Sequence, residues 1–302
     1  MGVITTGNNP KAMRPGVRAW FGGAYNEHPL EYPMIFTKDV STMMYEERVE
    51  TTGFGLAPVK PQGAAVSYAS DLQGYTSRFI NATIALGFMV TMEEKEDNLY
   101  EQVSKSRSRK LAFSMRATKE IVGANIVNRI TNESYLMGDG VVLASVSHPT
   151  RSGLQSNILA PAADMSEAAI EDMCIQVMGM ANNVGLMINM MPQKLLVARQ
   201  NWFEANRIMK STLQNDTANN AINVLKATNA FPGGIVMNHY LTDADAWGIL
   251  TNCPDGLVYQ ERKALEVTED NDFDTSNDKW KAMERYVFGV ADWRSIVWSC
   301  GA

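Results

Sequence analysis

From position 97 to 131 no proline interrupts the chain, and the pattern is that of one long helix. Asp97 stands at its start as an N-cap. Leu111, Met115, Thr118, Val122 and Ile126 recur at the spacing of one helical face. About 35 residues at a rise of 1.5 Å each would span ~50 Å, so whatever precedes and follows must pack along this element. Six basic residues and no acid lie between Ser104 and Lys119. At about 100° per residue, Lys105, Arg109, Arg116 and Lys119 fall within an arc of roughly 80°. Such a stripe is either a solvated face or a surface for something anionic. The glutamate-rich stretch Glu46, Glu47 and Glu50 of a neighbouring copy would serve.

The residues before the helix read as two pieces. Residues 1–40 form an extended arm, because Pro10, Pro15, Pro29, Pro33 and five glycines punctuate any helix or long strand. Lys11, Arg14 and Arg18 are the only charges before Glu27. An arm of this kind needs a partner surface to be ordered. Residues 41–92 read as a long hairpin. It rises through Met44–Thr51, turns in the Gly- and Pro-rich stretch 52–63 around Lys60, and descends through Ala64–Ala69 and Arg78–Met92. A ribbon with so little apolar content in its outer half is marginal alone, so it is expected to lie on a neighbouring subunit.

After the helix, Gly138-Asp139-Gly140 has turn chemistry, with strand residues beyond it. Residues 161–260 read as an α/β unit. It comprises a helix over Met165–Asn182, a buried strand over Pro192–Ala198, a helix over Gln200–Leu213, strands at Ile222–Ala227 and Ile235–Met237, a helical turn at Asp243–Trp247 and a strand at Gly248–Thr251. The acidic stretch Glu266–Asp278 reads as a solvated loop, and Lys279–Cys300 as strands returning to an earlier sheet. The fold class is α+β.

Composition narrows function. A net charge of −6 with a pI near 5.2 argues against strong nucleic-acid affinity over the whole surface. Cys174, Cys253 and Cys300 are odd in number and widely spaced, which fits a reducing cytoplasm better than a disulfide framework. His28, His148 and His239 have no cysteine or glutamate at ligand spacing, so no metal is expected. The acidic run lacks the glycine and glutamate that a calcium loop requires. Gly53–Pro58 begins like a dinucleotide fingerprint, but Pro58 replaces its last glycine and Pro61 forbids the helix that should follow. No apolar run approaches membrane length. No nucleophile elbow, phosphate loop or zinc-protease motif occurs, so no catalytic residue and no cofactor is assigned.

The order of pieces carries a resemblance. Arm, hairpin, long helix, α/β unit and returning strands follow one another as in the major capsid proteins of tailed bacteriophages. GDGVVLASVSHPT (Gly138–Thr150) looks like the turn-strand segment after the long helix in the branch of Mu-like head subunits. DFDTSNDKWKAMERYVFGVADWRSIVWSCG (Asp272–Gly301) looks like the family's closing strands. The resemblance implies the HK97-type capsid fold, with an N-arm at 1–40 and an E-loop at 41–92. A peripheral domain with the spine helix would take 93–160 and 270–302, and an axial domain 161–269. It implies self-assembly into pentamers and hexamers of an icosahedral shell, a place in the virion, and assembly in the bacterial host cytoplasm. Scaffold, portal and decoration proteins become possible partners, and packaged double-stranded DNA a non-specific one. Lys105, Arg109, Arg116 and Lys119 would then face inward or meet a neighbour. Glu46, Glu47, Glu50 and Lys60 would make E-loop contacts, and Lys11, Arg14 and Arg18 N-arm contacts. Some members crosslink lysine to asparagine; Lys60 has no identifiable partner, so that property is not carried over. The alternatives are an encapsulin-like compartment, a tail tube or sheath subunit, and a soluble α/β enzyme.

Overall fold

The computed structural model describes residues 10–27, 29–97, 100–214, 221–272 and 274–301, with side chains for all of these except 10–17, 95 and 100–103. Two four-stranded sheets and one projecting ribbon organise the chain.

The first sheet has the order β1 (Thr37–Val40), β10 (Leu257–Asn271), β11 (Asp278–Val290), β4 (Ala82–Val90). β1 runs parallel to β10, and the other pairs are antiparallel. Trp280, Ala282, Glu284, Tyr286 and Phe288 alternate along β11 and are all buried, the period-two signature of a sheet with one covered face. The cover is α3 (Tyr100–Asn128), 29 residues long. Beside it lies α1 (Pro10–Tyr25), where Phe21 packs with Leu111, Ala112 and Met115 of α3 and with Ala282 of β11. A short helix, α2 (Met92–Glu96), joins β4 to α3 and is closed at its start by a capping box between Thr91 and Glu94.

The second sheet has the order β12 (Ile296–Ser299), β9 (Trp247–Thr251), β7 (Pro192–Ala198), β8 (Ile235–Asn238). Leu195 to Ala198 are all fully buried, as in a central strand covered on both faces. α4 (Glu167–Met178) packs on β7 and β9, and α5 (Trp202–Lys210) on β7 and β8. Ser166 caps α4 by accepting from the Ala169 amide, and Ala169, Ile170, Met173, Cys174 and Val177 form its buried face. The remaining elements are the ribbon β2 (Tyr45–Thr51) and β3 (Gln73–Ile80), the small pair β5 (His148–Thr150) and β6 (Gly153–Gln155), and the single turn α6 (Val224–Ala227).

Several expectations are corrected. The N-terminal segment is not extended throughout: residues 10–25 are helical despite Pro15 and three glycines. Helix propensity is a weak prior that packing overrides, and here Trp20, Phe21, Ala24 and Tyr25 gather on the face toward α3 and the first sheet. Asp97 closes α2 and does not open α3. The hairpin ends at Ile80; β4 leaves it and joins the first sheet. Val224–Ala227 is a helical turn and not a strand, because the Asn223 side chain caps it at Lys226. Residues 243–246 form no helix. Glu266–Asn271 is strand and not loop: Asp270 sits opposite Lys279, and Thr268 opposite Lys281. β10 belongs to the first sheet almost whole, and β12 belongs to the second.

Candidate assembly site

The ribbon is held rigidly at its root and left bare at its tip. At the root, the Phe79 ring fills the space over Gly289, where a Cβ would lie 2.4 Å from it. Tyr75 packs over Gly138, where a Cβ would lie 2.7 Å from its ring, and its hydroxyl donates to Ala291 O at 3.3 Å. Asn81 donates to Ser41 Oγ at 2.7 Å. Arg48 pairs with Asp39 at 2.8 Å. Glu50 faces the buried Arg294 guanidinium at 3.4 Å. Burial pushes the Glu50 carboxyl up, against the opposing pull of Asn183 and Arg294.

Further out, Asp71 accepts from the Gly53 amide at 2.8 Å, and the Leu72 amide donates to Thr52 Oγ1 at 3.0 Å, closing a neck. Beyond the neck, residues 54–70 have no regular structure apart from one turn at 62–63. Phe54, Leu56, Val59, Val66 and Tyr68 stand in solvent there, Tyr68 at 95% exposure. Lys60 is exposed among them.

The glutamates expected to meet a neighbour are engaged within the chain. Glu46 accepts from the Thr42 amide, the Ser41 hydroxyl and the Met43 amide, which hold its carboxyl below the usual range. Glu47 pairs with Arg78 at 2.6 Å. The basic stripe is divided too. Lys105 and Arg109 are exposed, whereas Arg116 and Lys119 are buried under the end of α1. Lys119 pairs with Glu284, and its ammonium lies over the rings of Tyr286, Tyr259 and Tyr25 at 5.1, 5.8 and 6.0 Å. Arg116 donates to Tyr25 O. A helical wheel places all four on one arc but cannot tell which part another helix covers. Burial alone would lower the Lys119 ammonium; Glu284 more than offsets this and holds it above its usual value. Burial also pushes the Glu284 carboxyl up, opposed by Lys119. Arg18 pairs with Glu269 at 3.7 Å. Lys11 and Arg14 lie in α1, with side chains outside the described residues, as His28 is altogether.

Two polar clusters had no sequence signal. Glu120, buried on α3, accepts from the Glu31 and Tyr32 amides at 3.0 Å each, and Glu31 in turn accepts from the His239 amide at 2.9 Å. This strap ties the N-terminal segment to α3 and to the second sheet. His148 is fully buried, its Nδ1 2.7 Å from Asp139 and its ring stacked on Trp293 at 4.4 Å. Asn157 beside it donates to Leu143 O at 2.7 Å and to Trp293 O and Ile296 O at 3.1 Å each. Burial pushes the Cys174 thiol up to about 11 and raises Cys253 and Cys300 as well. Among the described residues, no group of three or more His, Cys, Asp or Glu could hold a metal ion. No helix among them is long and apolar enough to cross a membrane.

A long helix on a sheet, a second mixed sheet and a ribbon anchored only at its root define the class: this is the HK97-type shell fold. Solved structures share it. The virus-like particle from Pyrococcus furiosus matches with a TM-score of 0.51 at 13% identity, over 94% of this chain and 98% of that one. The capsid of an empty GTA particle matches at 0.53 and 12% identity, over 88% and 87%. The procapsid of bacteriophage JBD30 matches at 0.50 and 15% identity, over 98% and 76%. No curated protein matches. The family model described as phage capsid protein matches residues 77–299. The chain therefore belongs to the phage capsid protein family, as a major capsid protein whose copies form the shell.

Proposed function

We propose that copies of this chain join as pentamers and hexamers into the icosahedral head of a tailed phage, with the β2–β3 ribbon as the principal clasp. The observation that carries this reading is the ribbon's outer loop, whose apolar side chains are exposed beyond a root anchored at several points. Burying them on a neighbour stabilises each contact by about 25 cal/mol per Å² of apolar surface. Repeated around a closed ring, weak contacts become a cooperative lattice through multivalency.

Residues 1–40 serve as the N-arm and 41–92 as the E-loop. Residues 93–160 with 270–302 supply most of the peripheral domain, and 161–269 most of the axial domain, exchanging strands at β10 and β12. Lys60 and the arm residues Lys11, Arg14 and Arg18 contact neighbours. Lys105 and Arg109 face packaged double-stranded DNA without sequence preference, while a net charge of −6 keeps the wall from gripping it everywhere. Scaffold, portal and decoration proteins are the further partners. Assembly takes place in the host cytoplasm, and the subunit carries no catalytic activity.

Sedimentation velocity tests the clasp, on the full chain and on a variant with residues 53–71 replaced by a short Asn-Gly turn. The full chain sediments as large particles. The variant keeps its circular dichroism spectrum and stays small. Equal assembly by the variant contradicts the role given to the ribbon. A second reading, an encapsulin-like compartment, draws on the Pyrococcus furiosus match, which spans 98% of that chain. Particles isolated with the neighbouring genes expressed decide between them: nuclease-protected DNA favours the phage head, and an enclosed enzyme the compartment.

A further inference from the structure

A groove of about 410 Å³ opens beside the root of the ribbon, between β3, the last turns of α3, the 135–138 turn and the end of β11. Phe79, Leu143 and Phe288 are buried at its floor, with Ile126 and Val290 half-buried beside them. Ile80, Tyr135 and Leu136 at its lips are exposed. No carboxylate lines it, and its two arginines are engaged within the chain. Arg78 pairs with Glu47 and lies over the Tyr45 ring at 4.8 Å. The Arg129 guanidinium lies over the Tyr135 ring at 4.4 Å. The groove therefore suits an occupant that brings apolar surface and little charge.

The tip of the ribbon is such an occupant. Between Phe54 and Ser70 the sequence carries a single charge, Lys60. Phe54, Leu56, Val59, Val66 and Tyr68 are all exposed there. Tip and groove belong to one ribbon, yet both are bare in the single chain. β3 separates them with eight residues, ~26 Å at 3.3 Å each. The neck formed by Thr52, Gly53, Asp71 and Leu72 holds the tip at the far end. Apolar surface left open at two separate places on one chain marks contacts between chains. The two surfaces are different, so a copy that gives its tip still offers its groove. A contact of this kind is heterologous: it repeats head to tail and closes into a ring where the rotation allows.

We propose that the ribbon tip of one copy docks in the root groove of the next copy around each pentamer and hexamer, with Tyr68 as its anchor. Tyr68 is the aromatic side chain of the tip with the most surface to bury, at 95% exposure. An aromatic anchor in a pocket is the arrangement that concentrates interface energy. The proposal rests on the reading that the ribbon clasps a neighbour, and names the surface that receives it.

Cysteine pairing in assembled particles of the full chain tests it. Leu136→Cys places a thiol at the groove lip, and Ser67→Cys places one beside the anchor. After oxidation, the double variant is expected to run on a non-reducing gel as a ladder that ends at pentamers and hexamers, and each single variant as monomer. Tyr68→Asp changes a side chain that is bare in the single chain. It should cut the crosslinked fraction about tenfold or more and leave the urea midpoint of the unassembled chain unchanged, whereas Tyr68→Phe should keep the crosslink. Particles that form normally yet give no 67–136 crosslink, or one that stops at dimers, overturn the docking and leave the shell reading standing. Failure of the unaltered chain to form particles overturns the shell reading, and this contact with it.

Discussion

Lys119 and Glu284 carry the sharpest energetic consequence at the scale of single residues. Both are buried, and the Glu284 carboxylate has Lys119 as its ion-pair partner. Removing one member of a buried pair leaves a charge in a medium that cannot solvate it. Lys119→Met should destabilise the folded chain by about 3–5 kcal/mol in urea unfolding. Lys119→Met with Glu284→Leu should recover much of that loss. Glu50 makes a prediction with a pH sign. Burial raises its folded-state pKa above the unfolded value. Its contribution to stability is therefore fully present below the unfolded pKa and is lost as pH rises through the folded one. Acidification from pH 7 to 5 should raise the urea midpoint through this group, and Glu50→Gln should lack that component. Asn157→Ala removes a buried amide that donates to three carbonyls. Trp293 O keeps the Ile296 amide and Leu143 O keeps His148 Nε2, but the weakened network and the lost side chain should cost about 1–3 kcal/mol in thermal unfolding. None of these roles was legible in the sequence. A glutamate on a strand or a lysine on a helix looks the same whether or not a second element covers it.

At the scale of elements, legibility followed the strength of local signals. Strand β7 was readable to its boundaries, because LLVA is a short, wholly apolar run between Pro192-Gln193-Lys194 and Arg199. Helix α4 was readable from Ser166 and its apolar spacing. The long helix was readable as a helix, and its buried face in part. Leu111 and Met115 of the apolar stripe are buried on it and Val122 and Ile126 pack against the core, but Ser104, Ser108, Arg116, Lys119 and Glu120 are buried there too, and apolar periodicity does not report polar residues. Helix α1 was missed because prolines and glycines were counted as breaks before its packing partner was known. The acidic strand end of β10 was missed because its charges are offset by Lys279 across the hairpin, a pairing that apolar alternation along one strand does not report. The ribbon root gives this scale its test. Gly289→Ala places a methyl group against the Phe79 ring and should cost about 1–3 kcal/mol by overpacking. Limited proteolysis within 52–72 should accelerate in that variant, while cleavage elsewhere stays unchanged.

For the whole molecule, the order of elements was the legible quantity, and it agrees with the family match over 77–299. The sheet membership of the strands was not legible, because β12 follows β11 of the first sheet in sequence yet pairs with β9 in the second. The resulting body is stiff where ribbon, strap and sheets meet, and bare at the tips. That division suits a subunit whose remaining stabilisation comes from copies of itself. Electron microscopy of the purified, concentrated full chain, alone and co-expressed with its neighbouring virion genes, tests this most directly. The account predicts closed polyhedral shells built from pentamers and hexamers. Small uniform oligomers under every condition, or open tubes, would contradict it.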